Sequence, residues 1–104
     1  MTPYRLSRDA ERDLVQIATY VAEKASLEIA ESLLTRIIET IILLAKHPQM
    51  GRPAEQAGKS ILAFPSEQFK IYYQKRRNGI VVVHVFHGSR DQMKAWKTTN
   101  RTSS

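Results

Sequence analysis

The chain has 104 residues, 42% hydrophobic and 25% charged, with four glycines, four prolines and no cysteine. That describes one domain with a single modest core. It excludes collagen-like and disordered classes, a disulfide framework, a thiol nucleophile and a thiolate-held metal. The net charge of +6 lies wholly in residues 53–104, which hold nine Lys/Arg against three Asp/Glu, while residues 1–52 carry seven of each. Such asymmetry fits a polyanionic or acidic partner met by the second half, or solubility alone.

No apolar run approaches the length of about 18 residues that a membrane span requires. The opening "MTPYRLSRDAERDL" has acids by its ninth residue and no apolar h-region, so it does not read as a secretory signal. A cytoplasmic protein is expected, with a folded domain over residues 1–97 and a frayed tail over residues 98–104.

"PYRLS" (Pro3 to Ser7) alternates, placing Tyr4 and Leu6 on one face of an edge strand. Ser7 can N-cap a helix, with Asp9, Glu11 and Asp13 complementing its dipole. Ala10, Leu14, Ile17 and Val21 then form one stripe, and the helix is expected to end near Lys24. Ser26 can cap a second helix, whose stripe is Ala30, Leu33, Leu34, Ile37, Ile41 and Leu44 and whose stop is Pro48. Within "IIETIILLA" only Glu39 and Thr40 are polar, so the second helix must be covered on more than one side. A joint of about two residues makes the pair an antiparallel helical hairpin.

After a turn-rich connection come three strand-like runs: Ser60 to Phe64, Phe69 to Lys75 and Ile80 to Phe86. Asn78-Gly79 between the last two signals a type I′ hairpin turn. The expected fold is α+β: an N-terminal strand, then an antiparallel helical hairpin packed on one face of an antiparallel sheet of about four strands.

An Asn78-Gly79 loop would pair Arg77 with Ile80, Tyr73 with His84, Ile71 with Phe86 and Lys70 with His87. Phe69, Ile71, Tyr73, Ile80, Val82, His84 and Phe86 would then face the helices. Val81, Val83 and Val85 would stand on the opposite, open face beside Lys70, Tyr72, Gln74, Arg76 and His87. His84 and His87, three apart on a strand, point to opposite faces and cannot share a metal. His47 lies in a distant loop without a carboxylate cluster, so no metal and no cofactor are expected. His84 reads as a hydrogen-bonded core histidine. A bare patch of three valines needs a cover, either the segment around Met93 and Trp96 or a partner's strand or helix.

Taken in order, "YRLSRDAERDLVQIATYV", "LLAKHPQMGRP", "FKIYYQ" and "VVVHVFHGSRD" resemble the ParE-type toxins of the ParE/RelE superfamily over about residues 4–92. The last stretch carries the His-Gly-x-Arg-Asp-like ending at His87 to Asp91. The resemblance implies the toxin of a type II toxin–antitoxin module of the kind that stabilises plasmids, forming a hetero-oligomer with its cognate antitoxin. Antitoxin wrapping would cover Val81, Val83 and Val85 on the sheet and Ile38 and Ile42 on the second helix. ParE-type members inhibit DNA gyrase by protein contact, without catalytic residues; the RelE branch cleaves messenger RNA on the ribosome.

RNA cleavage by 2′-hydroxyl attack needs a base, an acid and cations. Laid on the RelE pattern, Lys70 and Arg90 fall at cationic positions and His87 could act as base, giving Lys70, His87 and Arg90 as the set for a nuclease. The second-strand lysine positions fall on Ile61 and Ala63, however. The terminal tyrosine position falls near Trp96, whose indole N–H exchanges no proton at neutral pH. The gyrase reading is therefore preferred, with Arg52, Lys70, Arg76, Arg90 and Trp96 as candidate target contacts. A plain nucleic-acid-binding module using Lys70, Lys75, Arg76, Arg77 and Arg90 ranks third, since no helix-turn-helix or RRM signature is present.

Overall fold

Two serines set where the helices begin. In the computed structural model, which describes residues 3–88, the Ser7 hydroxyl oxygen accepts from the Ala10 N–H at 3.0 Å. It thereby opens α1 (Arg8–Lys24). Ser26 accepts from the Ile29 N–H at 3.1 Å and opens α2 (Leu27–Lys46). Between them lies the two-residue joint Ala25-Ser26 that the sequence predicts. Arg90, Trp96 and the expected tail over residues 98–104 lie outside the described residues.

Ser7 does more than cap. Its N–H donates to the Val82 carbonyl at 2.9 Å and its hydroxyl donates to the Val83 carbonyl at 2.9 Å. One side chain thus starts the helix and continues the edge pairing of the strand beside it. Ser7→Ala is expected to cost about 1–2 kcal/mol, the upper part of the range of about 0.5–2 kcal/mol for a lost cap, read as a lowered midpoint in urea denaturation.

Among the described residues the sheet has five strands in the order β1 (Tyr4–Leu6), β5 (Gly79–His87), β4 (Phe69–Arg76), β3 (Leu62–Ser66), β2 (Arg52–Pro53). It is mixed: β1 runs parallel to β5, and every other pair is antiparallel. The extra strand is the short β2, where Arg52 pairs with Ala63 and Pro53 with Leu62. The helices cover one face. Ile37, Ile41 and Leu44 of α2 and Ala10 and Leu14 of α1 pack there against Ile71, Tyr73, Ile80, Val82 and Val85. This is where the breadth of the apolar stripe on α2 is absorbed. No helix among the described residues is long and apolar enough to cross a membrane.

The hairpin register differs from expectation in two ways. The turn is Arg77-Asn78, closed by Arg76 opposite Gly79, so Tyr73 faces Val82 rather than His84. Gly79 is claimed by the neighbouring strand: a Cβ there would collide with the Pro3 carbonyl oxygen, which accepts from the Ile80 N–H at 3.3 Å. The glycine therefore permits a close strand approach instead of forming the turn. Second, the register shifts between Tyr73 and Tyr72: Tyr73 pairs with Val82 and Tyr72 with His84, leaving Val83 without an opposite number. Such a bulge reverses the alternation beyond it. Val85, expected on the open face, is buried at 2% exposure in the main core. His84 and Phe86, expected toward the helices, pair with Tyr72 and Lys70 on the other side.

That other side is not bare either. Residues 54–61 fold back over it, with the Ala54 N–H donating to the Ile61 carbonyl at 2.8 Å. Ala54, Ala57, Ile61 and Tyr72 form a second buried cluster, with Val83 and Phe86 packed against it. Part of the cover that the valine patch required comes from within the chain.

Candidate functional site: a groove and a cationic pocket on opposite faces

The larger concavity, of about 810 Å³, opens between the helical hairpin and the end of the β4–β5 hairpin. Ile17, Tyr20 and Val21 of α1 and Ile29 and Leu33 of α2 form its helical wall; Phe69, Val85 and His87 belong to the sheet side. Tyr20 is 62% exposed and Ile29 52%, so the wall is apolar and open to water. Its rim carries an ion pair between Arg36 Nε and Glu67 Oε1 at 3.0 Å, tying α2 to the β3–β4 turn. Phe69 meets His87 edge-on, with ring centroids 5.4 Å apart.

One side chain on this side does structural work for β5. Asp13 Oδ2 accepts from the Val85 N–H at 2.9 Å and from His84 Nδ1 at 2.8 Å. A carboxylate is acceptor-only, so Nδ1 carries the proton. Asp9 lies farther off, 3.8 Å from Nε2. His84, 6% exposed and stacked on Phe86 with centroids 4.4 Å apart, is thus held by structural contacts. Among the described residues no three His, Asp or Glu side chains cluster as metal ligands.

A smaller pocket of about 570 Å³ lies on the opposite face, over β2, β3 and β4. Arg52 and Lys70 line it together with Ala54, Ala63, Pro65 and Tyr72. Burial raises the Tyr72 phenol above its ordinary value of 10.0, so it remains neutral at physiological pH.

The five residues expected to meet an antitoxin are dispersed. Val85 alone lines the groove; Val83 packs in the second cluster. Val81 is half-buried between Arg5 and Gln74. On α2, Ile38 packs against the main core and Ile42 is half-buried. Tyr20 and Ile29, the exposed apolar groups of the groove, stand outside the main buried stripes, so periodicity does not mark them. Of the target-contact candidates, Arg52 and Lys70 share the smaller pocket, whereas Arg76 is exposed at the hairpin tip and donates to Gln74 at 2.8 Å. Of the nuclease set, Lys70 pairs with Phe86 and His87 with Phe69. Lys70 and His87 therefore lie on opposite faces, correcting their expected pairing; the bulge is the cause. Arg90 and Trp96 lie outside the described residues.

Comparison with known proteins agrees with this architecture. The family model described as the ParE toxin of type II toxin–antitoxin system, parDE, matches residues 4–92. Toxin ParE1 of Caulobacter vibrioides is 33% identical over 89 residues, covering 86% of this chain and 92% of that protein. A chain from the structure described as the chromosomal ParDE TA system from P. aeruginosa superposes with a TM-score of 0.72 at 20% identity. The match covers 84% of this chain and 96% of that one, and supports the fold. The ordered match along nearly the whole sequence, the relative at 33% identity and the helical hairpin on its sheet lead to one assignment: the chain belongs to the ParE toxin family of type II toxin–antitoxin systems.

Proposed function

We propose that this toxin is kept inactive by a cognate antitoxin seated in the groove between the helical hairpin and the sheet. Once released, it inhibits DNA gyrase by protein contact rather than by cleaving RNA. The carrying observation for the contact mechanism is the separation of Lys70 from His87 onto opposite faces. General acid–base chemistry on one phosphodiester needs its base and its charge-stabilising cation within reach of the same few atoms. Tyr72, the titratable group beside Lys70 in the smaller pocket, is a neutral phenol raised further by burial. The groove supports the antitoxin part, because exposed Tyr20 and Ile29 flank an apolar trough whose floor is already built. An amphipathic segment would bury them with little rearrangement.

Expression without antitoxin tests the target. DNA breakage dependent on gyrase, with messenger RNA intact, is expected; codon-positioned messenger cleavage with undamaged DNA would transfer the protein to the nuclease reading. The groove is tested by Tyr20→Asp and Ile29→Asp together, both at exposed positions. Affinity for the antitoxin of its own module should fall about 30-fold or more, the effect of losing a buried anchor, with the thermal midpoint nearly unchanged. Unaltered affinity would move the antitoxin elsewhere.

A further inference from the structure

The smaller pocket has a charge pattern that the groove lacks. Arg52, Ala63 and Tyr72 stand in one row across β2, β3 and β4, and Pro65 and Lys70 in the next. Cross-strand partners share a face, and Lys70 and Tyr72, two apart on β4, share it too. Arg52 and Lys70 are therefore diagonal corners over a floor of Ala63, Pro65 and Tyr72. Strand spacing and rise put their Cα atoms on the order of 12 Å apart, within the combined reach of two long side chains converging on one group. No carboxylate among the described residues lines the pocket. Among the described residues neither Arg52 nor Lys70 forms an ion pair, while Arg36 on the other face is matched by Glu67.

We infer that this pocket is a second binding site, distinct from the groove, for an acidic segment of a partner protein. One Asp or Glu side chain lies between Arg52 and Lys70, and a neighbouring apolar side chain rests on Ala63 and Pro65. The guanidinium offers a two-pronged donor for the carboxylate, the strongest common form of charged hydrogen bond, and Lys70 supplies a second cation. The half-buried setting of Lys70 limits screening by water. A nucleic-acid strand is a poorer match. Polynucleotide binding rests on a track of phosphate contacts and on aromatic faces open for stacking. Among the described residues the pocket has two cations, and Tyr72 is only 3% exposed, its ring packed with Phe86 at 5.8 Å between centroids.

The test is amide chemical-shift titration of the full chain with an N-acetylated peptide of alternating Leu and Glu, beside its Leu and Gln counterpart. Saturable shifts at Arg52, Ala63, Lys70 and Tyr72 are expected with the acidic peptide only. Arg52→Gln with Lys70→Gln should weaken binding at least tenfold without altering the rest of the spectrum, and Arg52→Lys with Lys70→Arg should retain most of it. The inference is overturned by an absence of saturable shifts, by shifts confined to Lys75, Arg76 and Arg77, or by tighter binding of a single-stranded RNA oligonucleotide at the same residues. None of these results bears on DNA breakage or antitoxin affinity, so this site and the proposed function stand or fall separately.

Discussion

Asp13→Ala is expected to lower the unfolding free energy by about 3 kcal/mol, and Asp13→Asn by about half as much, in urea denaturation at neutral pH. The reason is an edge. β1 pairs with β5 from Ile80 to Val82, and beyond Val82 no strand among the described residues continues the ladder. The Val85 N–H there belongs to a residue 2% exposed, and an unpaired buried donor costs about 1–3 kcal/mol. Asp13 supplies the missing acceptor from α1, and the same oxygen holds His84 Nδ1. Alanine leaves the Val85 N–H without this acceptor and removes the Nδ1 contact of His84. Asparagine keeps one carbonyl oxygen whose two lone pairs can accept from both donors, but without the charge that makes such bonds about twice as strong. Should Asp13→Ala behave like an ordinary surface change, within about 0.5 kcal/mol, the link from helix to sheet edge has no energetic weight.

Much of this arrangement could be read from local chemistry. The Ser7 and Ser26 caps, the two-residue joint, the stop before Pro48 and the broad apolar stripe of α2 depend on residues a turn or two apart, and each appears as expected. The fold class followed from the order of these signals. The register of β4 and β5 did not, because it is decided by a residue remote in sequence. Asn78-Gly79 is a strong turn signal, yet Pro3 needs the space that only a glycine leaves at position 79. The bulge at Val83 has no local signature among three successive valines, and it alone decides that Val85 goes inward and His84 outward. The candidate site inherits that error. The expected pairing of Lys70 with His87 put both on one open face; the bulge separates them, leaving an apolar groove on one side and a cationic pocket on the other. Arg52 entered the pocket through β2, a two-residue strand too short for any periodicity to reveal.

Tyr73→Phe is expected to cost about 2 kcal/mol, although it removes one atom from a fully buried ring. The phenol donates to the Pro48 carbonyl at 2.6 Å and accepts from the Gly51 N–H at 2.9 Å. One hydroxyl thus fastens the turn after α2 to the centre of the sheet. A Cβ on Gly51 would run into that hydroxyl, so the loop lies close against the ring end. Phenylalanine fills the ring's space and leaves both backbone groups unpaired. The same burial sets an alkaline limit. Desolvation raises the Tyr73 pKa above 10.0, partly offset by the Gly51 hydrogen bond, and desolvation also raises that of Tyr72. In the unfolded chain both phenols lose protons near pH 10 while the folded chain retains them, so the unfolded state binds fewer protons above that pH. Stability is therefore fully present below pH 10 and declines as pH rises further, by up to about 1.4 kcal/mol per unit for each tyrosine. Tyr73→Phe should be less stable than the parent at neutral pH and show a shallower decline above about pH 10. Parallel slopes in the two proteins would remove Tyr73 as a source of the alkaline loss.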